Sequence, residues 1–162
     1  MNKLFNNIKA SAMVEIGSRV YGGETPESDY DFVMTTAQCE TMLKYLDNTN
    51  IDYKSNAGAS DKDAPGDYKM YNTHNIKFMV PGMVQGETIM INLLGYTPED
   101  IPKMMLVNDM MLEVMKTPLG SNIKKDKLYR IDMFQAIIKN VFSEYEPEEL
   151  YFDEIDTGKL PF

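Results

Sequence analysis

The sequence predicts an α+β domain, because segments of helical period and segments of strand period are interleaved over its first two thirds and the last third is helical. Three stretches carry the prediction. "DYDFVM", from Asp29, alternates acids with apolar or aromatic residues as a half-buried strand does. "TAQCETMLKYL", soon after it, sets Cys39, Met42, Leu43 and Leu46 at helical spacing. "KKDKLYRIDMFQAIIKNVFSEYE", from Lys124, is the longest helical pattern, with an apolar stripe through Leu128, Ile131, Phe134, Ile138, Val141 and Phe142.

Taken in order, residues 2–12 form a short helix with Leu4, Phe5, Ile8 and Ala12 on one side, and "AMVEIGS" is a strand running into a glycine turn. "GGETPES" is a loop of Gly, Pro and Ser that leads into the strand at Asp29. After the Cys39 helix, residues 48–67 are rich in Asn, Asp, Gly and Ser and read as a rim or flap around a short apolar attempt at Ile51 to Tyr53. "DYKMY", from Asp67, reads as a further strand. "THNIKFMV" and "GETIMINLLGY" are short apolar runs whose period does not decide between helix and strand, and both are taken as helices. "TPEDIPKMMLVNDMMLEVM" opens with Thr97 as cap, Pro98 at the first helical position and acids in the first turn, and is interrupted at Pro102. No repeat and no linker divides the chain. Its 162 residues, 43% hydrophobic and 10% aromatic, suit one domain with enough apolar material for a core.

Composition narrows the function. A formal charge of -9 opposes a general nucleic-acid or anionic-membrane binder, and the largest basic cluster is "KKDK" at Lys124 to Lys127. A polyanionic substrate must therefore be met at a confined site, with a divalent cation. The single Cys39 excludes an internal disulfide and a cysteine-rich zinc site, in keeping with a cytoplasmic setting. No apolar run reaches the ~20 residues of a membrane span, and the first residues lack the apolar centre of a secretory signal. Fourteen Met and no Trp fit a core filled by flexible side chains, or a Met-rich partner groove.

The chemistry lies in "GSRVYGGETPESDYDF", Gly17 to Phe32. In a strand, residues two apart share a face, so Asp29 and Asp31 point to the same side. Hard divalent cations take several oxygen ligands, and a pair of them stabilises both the attacking and the leaving oxygen of a phosphoryl or nucleotidyl transfer. A third carboxylate from a neighbouring strand would complete such a site. Gly17 lets backbone amides approach a phosphate, and the Ser18 hydroxyl can donate to a phosphate oxygen. Each piece alone is also what a polar turn or a solvated strand face looks like. The order of the pieces favours the site: apolar strand, Gly17-Ser18, Arg19, a turn with Gly22, then Ser28-Asp29-x-Asp31.

With these residues in that order, the stretch resembles the signature of the nucleotidyltransferases of the DNA polymerase beta superfamily, in particular the small ones of bacteria and phages. "DYKMYNTHNIKFM", "GETIMINLLGY", "KLYRIDMFQAI" and "IDTGKLPF" look like compressed versions of later family segments, so the resemblance spans most of the chain and is strong over residues 14–34. It implies a small mixed sheet flanked by helices, with residues 1–96 as the catalytic-type core and 97–162 as a helical C-terminal part. It also implies that Gly17 and Ser18 contact a nucleoside triphosphate, and that Asp29 and Asp31 bind magnesium or manganese. Arg19 matches a position that is frequently basic and would touch phosphate, a surface arginine being the alternative. For the third acid, Asp67 suits the family order, against a turn Asp after "APG". Asn92 in "MINLL" stands where similar proteins often carry an acid, and Glu87 is a poorer substitute.

The resemblance thus implies a magnesium-dependent transfer of a nucleoside monophosphate from a nucleoside triphosphate to an acceptor hydroxyl, with Asp67 helping to deprotonate the acceptor. The alternative is a weakened relative that acts by binding a protein partner, as in antitoxin-like or anti-defence-like proteins, and Asn92 motivates it. His74, the only histidine, reads as a helix-start or core-edge residue, and Lys69 and Lys77 as solvated chains. Tyr21, Tyr30 and Tyr68 are the aromatic residues open to base stacking or to packing.

Overall fold

The structure is a computed structural model that describes residues 3–56, 68–82 and 84–144. Among these residues it is a mixed α+β arrangement of six helices on one five-stranded sheet. The elements are α1 (Lys3–Ser11), β1 (Val14–Ile16), α2 (Ser18–Tyr21), β2 (Tyr30–Thr35), α3 (Thr36–Asn48), β3 (Tyr53–Asn56), β4 (His74–Pro81), β5 (Thr88–Tyr96), α4 (Ile101–Met115), α5 (Leu119–Lys125) and α6 (Lys127–Glu144). The strands lie in the order β1-β2-β5-β4-β3, with β2 and β5 parallel and every other pair antiparallel.

Strand alternation sorts the core into two clusters. Phe32 and Met34 of β2, Ile76, Phe78 and Val80 of β4, and Ile89, Ile91 and Leu93 of β5 pack with Phe5 and Ile8 of α1 and Cys39 and Leu46 of α3. The other face presents Ile16, Val33, Leu94 and Tyr96 to α4, α5 and α6, which contribute Met104, Met111, Ile123, Phe134 and Ile138 among others. Helices therefore cover both faces. α3 starts where it does because Thr35 and Gln38 form a capping box, with Gln38 N donating to Thr35 Oγ1 at 3.1 Å and Thr35 N donating to Gln38 Oε1 at 2.9 Å.

Several expectations change. The runs expected to be helices are the long strands β4 and β5. β5 is flanked by strands on both sides and buried on both faces, so it reads as an unbroken apolar run with no period of two. His74 accordingly opens a strand, not a helix. "DYKMY" is not a strand over its described residues, 68–71, and Asp67 lies outside the described residues. Thr97 sits in a turn, accepting from Asp100 N at 2.9 Å and Ile101 N at 3.1 Å, and α4 begins at Ile101, so Pro102 lies in the first turn and interrupts nothing.

The long pattern from Lys124 is two helices. Asp126 takes an extended conformation, closes α5 and caps α6, its Oδ1 accepting from Leu128 N at 3.0 Å and Tyr129 N at 3.3 Å. Leu128, counted in the apolar stripe, is 55% exposed. The break sets the phase of α6, and with it what α6 turns toward the sheet.

Candidate functional site

A cavity of about 730 Å³ opens between the α6-facing side of the sheet and the first half of α6. Gly17, Ser18, Asp29 and Asp31 all line it, so the structure brings these four sequence-picked residues together. Asp29 immediately precedes β2 and Asp31 is its second residue.

Register explains what stands beside them. Asp31 pairs with Asn92 across the parallel β2–β5 ladder, and Asn92 pairs with Lys77 across the antiparallel β5–β4 ladder. Directly opposed residues share a face, so Asp31, Asn92 and Lys77 form one row pointing into the cavity. Asn92 Nδ2 donates to Asp31 Oδ1 at 2.9 Å, and Lys77 Nζ lies 3.6 Å from Asp29 Oδ2. The group beside Asp31 on the neighbouring strand is thus an amide, and Lys77 is an ion-pair partner rather than a solvated chain. Among the described residues, no group of three or more His, Cys, Asp or Glu is arranged to hold a metal ion.

Gly17 is fixed by its surroundings. It has φ 93° and ψ −170°, a region open essentially to glycine alone. A Cβ there would lie 2.1 Å from Asp31 Oδ2. The main chain therefore lies directly against the Asp31 carboxylate. The carbonyl of Gly17 accepts from Val20 N and Tyr21 N, both at 3.0 Å, winding residues 18–21 into the single turn α2. The amides of the first residues in such a turn have no acceptor within it, and Ser18, at its head, lines the cavity.

Asp31 keeps some solvent contact through the cavity, yet its carboxylate is deep enough that burial pushes its pKa up to about 6. The Asn92 hydrogen bond opposes the rise, Asp29 adds to it, and Lys77 and Arg130 oppose it. Asp31 is thus a desolvated carboxylate with a second acid, Asp29, beside it and with Lys77 and Arg130 near enough to offset part of its charge.

Arg19 does not join this group. Its Nε and Nη2 donate to Ser28 O at 3.1 and 3.0 Å, Nη2 reaches Thr25 O and Pro26 O at 3.3 Å each, and the guanidinium stacks 4.0 Å from the Tyr30 ring centroid. Arg19 latches the 25–28 loop, which forms one lip of the cavity through Thr25, Glu27 and Ser28. Tyr30 packs edge-on against Phe5 at 4.8 Å, on the far face from the site. His74 lies near Glu40 at 3.9 Å and Thr73 Oγ1 at 2.9 Å, away from the cavity.

The residues missed in the sequence come from α6. Lys127, Arg130, Ile131 and Phe134 follow the i, i+3, i+4, i+7 spacing of one helical face, and all four line the cavity. Arg130 Nη1 also reaches Gly22 O at 3.4 Å, tying the lip loop to α6. That spacing was the available signal: two cations share a face with two members of the apolar stripe. Tyr68 and Met70 also line the cavity.

Comparison with family models, curated proteins and solved structures finds no match to the chain, so the functional reading rests on the site itself.

Proposed function

We propose that the chain is a polymerase-beta-like nucleotidyltransferase, which binds a magnesium- or manganese-associated nucleoside triphosphate in this cavity and transfers its nucleoside monophosphate to an acceptor hydroxyl. The observation that carries the reading is the convergence of the Gly17-Ser18 turn, the Asp29/Asp31 pair and three cations, Lys77, Lys127 and Arg130, on one cavity. Those three cations balance the three acids of the lining, Glu27, Asp29 and Asp31, so in a chain of net charge -9 the cavity is locally neutral and repels a phosphate-bearing ligand less than the rest of the surface does. A volume of about 730 Å³ falls in the ordinary range for small-molecule sites.

The donor set fits a hard divalent cation. Asp29 and Asp31 offer carboxylate oxygens, and Asn92 Oδ1 is a buried acceptor with no hydrogen-bond partner. These three would hold the ion, which when bound neutralises charge on phosphate oxygens and on the departing pyrophosphate. The Ser18 hydroxyl and the α2 turn orient the triphosphate, and Lys77, Lys127 and Arg130 balance its charge. The new bond joins the acceptor oxygen to the α-phosphorus, the α–β bridging bond breaks, pyrophosphate leaves, and the acceptor proton passes to a carboxylate. Asp67, next in the chain to the cavity-lining Tyr68, is our candidate for that last duty.

A second reading follows from Asn92. An amide next to Asp31 supplies an oxygen but no charge, which suits a weakened enzyme that binds nucleotide and acts on a protein partner by association. Both readings are tested with α-labelled nucleoside triphosphates and magnesium. Transfer or pyrophosphate release that Asp29→Ala with Asp31→Ala abolishes, and that Asp67→Asn lowers, supports the enzyme. Release that survives the double substitution overturns it. Nucleotide binding without turnover, together with recovery of one specific protein partner, selects the second reading.

A further inference from the structure

α2 cannot hold itself in place. It is a single turn of four residues, Ser18–Tyr21, and one turn of helix fixes more backbone than its own hydrogen bonds repay. Gly22 and Gly23, at φ 106° and 85°, turn the chain away at once toward the cavity lip. What fixes the turn against the body of the molecule therefore decides where the Ser18 hydroxyl stands.

The anchoring falls to Tyr21. It is buried in the core that includes Met104, Val107 and Met111 of α4, and its ring centroid lies 6.2 Å from that of Phe134 on α6. Its hydroxyl donates to Asn108 Oδ1 on α4 at 2.6 Å. Another tie to the helical layer, from Arg130 Nη1 to Gly22 O, is longer, at 3.4 Å. Val20 adds apolar contact to the same core, and such contact has no preferred direction. The Tyr21–Asn108 bond is short, directional and partly buried, so it fixes the rotation of the turn as well as its depth. Burial, with Asp31 and Asp109 adding to it, raises the Tyr21 pKa, and the phenol stays a donor through the alkaline range. Ser18 precedes Tyr21 by three residues, the separation at which helical side chains are neighbours, and both line the cavity. A shift of the anchored ring thus carries the Ser18 hydroxyl with it.

Resting on the triphosphate reading above, we propose that Asn108 is a positioning residue of the phosphate site: through the Tyr21 hydroxyl it sets the orientation in which Ser18 meets a triphosphate. Asn108 does not itself line the cavity. It acts from α4, and the Tyr21 phenol transmits the constraint to the turn. Gly17 holds the other end, its carbonyl accepting from Val20 N and Tyr21 N, so the segment is pinned at both ends with Ser18 between them.

The test is calorimetric binding of inorganic tripolyphosphate in magnesium, well below the melting temperature, to the native chain, Tyr21→Phe, Asn108→Ala, the double variant and Asn108→Asp. Tyr21→Phe keeps the ring and removes only the donor, and Asn108→Asp keeps the acceptor. Tyr21→Phe and Asn108→Ala should each weaken binding about three- to tenfold, the span of one lost hydrogen bond, with Asn108→Asp within about twofold of the native chain. The double variant should bind no more weakly than the weaker single variant, since both act through one bond. Magnesium affinity measured without tripolyphosphate should be the same in every variant, because Asp29 and Asp31 belong to β2 and its approach, not to the turn. Single variants that lose melting temperature but bind tripolyphosphate as the native chain does overturn the positioning role and leave the phosphate site standing. So do single effects that multiply in the double variant, or an Asn108→Asp as weak as Asn108→Ala. Loss of magnesium and tripolyphosphate together in the single variants is general disruption and overturns the role as well. A native chain that binds no tripolyphosphate overturns the triphosphate reading itself and this role with it.

Discussion

Asn92→Asp is the substitution that most directly interrogates the site. In the native chain Asn92 donates a hydrogen bond to Asp31 at 2.9 Å, and a carboxylate there removes a bond to a charged acceptor worth about 1.5–3 kcal/mol. It also sets two anions side by side. At an effective dielectric constant of about 20, unit charges ~4 Å apart repel by about 4 kcal/mol. The pair can escape by sharing a proton, as neighbouring carboxylates do, but holding a proton at neutral pH on an acid of ordinary pKa costs a similar amount. With a chelator present, Asn92→Asp should therefore lose about 2–4 kcal/mol of stability. In a domain of this size that lowers Tm by roughly 5–15 °C.

A divalent cation reverses the sign of the change, because the added carboxylate becomes a third charged ligand. Magnesium binding only to the folded state stabilises by RT ln(1 + [L]/Kd), about 1.4 kcal/mol for each tenfold in affinity once the site is filled. The assay is a thermal melt of native, Asn92→Asp and Asn92→Ala protein, each with chelator and with millimolar magnesium or manganese. The expected result is the largest metal-induced rise in Asn92→Asp, with Asn92→Ala losing stability in both conditions. An Asn92→Asp variant as stable as the native chain in chelator, or one that gains no more from the metal than the native chain does, refutes the assignment of Asp29, Asp31 and residue 92 to one cation site.

Asp31→Asn should stabilise the chelated protein. The folded state raises the Asp31 pKa from 3.8 to about 6, so it holds the proton more tightly than the unfolded chain, and the share of stability that depends on this group is fully present below pH 4 and is lost as pH rises through that window. The difference corresponds to about 3 kcal/mol, and urea titrations should show Asp31→Asn gaining that much over the native chain at pH 7.5 relative to pH 3.5. Gly17→Ala should lose about 1–3 kcal/mol from backbone strain alone and, through contact with the Asp31 carboxylate, more than that, together with nucleotide binding; chemical denaturation with calorimetry reads both. Arg19→Ala should leave magnesium binding intact, weaken nucleotide binding a few-fold and speed proteolytic cleavage between Gly22 and Ser28, since Arg19 holds the lip and does not face the cavity. Arg130→Gln should weaken tripolyphosphate binding and flatten its salt dependence, because one cation leaves the lining of the proposed phosphate site.

The parts of the site written contiguously were legible in the sequence. Gly17, Ser18, Asp29 and Asp31 fall within sixteen residues, and a period of two is enough to put both acids on one side. Asn92 stood out as an amide in an acidic slot, but its hydrogen bond to Asp31 depends on the β2–β5 register, which no local pattern encodes. β5 itself was misread for a related reason: a central strand covered on both faces loses the alternation that identifies a strand. Lys77 looked like any solvated lysine until β4 was placed beside β5. Lys127 and Arg130 required the chain to break at Asp126, since the phase of α6 decides which side chains reach the cavity. Arg19 shows the converse, a basic residue beside the Gly17-Ser18 turn whose donors are absorbed by its own loop.

The electrostatics of the site make most sense as an arrangement completed by a ligand. A carboxylate desolvated enough to sit near pH 6 and a buried amide oxygen without a donor both cost folding free energy. A well-packed apolar pair at Asp31 and Asn92 would avoid both costs, and the surrounding sheet is apolar enough to accept one. What the polar pair provides instead is two oxygen donors from adjacent strands, held by main-chain ladders rather than by flexible loops. The glycine beneath them is fixed by a conformation that other residues resist. Rigid donors of that kind gain from a cation without reorganising to meet it, which is the condition under which electrostatic stabilisation is most effective. The stability penalty and the proposed chemistry thus have one origin, and the opposite responses expected in chelator, a gain for Asp31→Asn and a loss for Asn92→Asp, are two measurements of it.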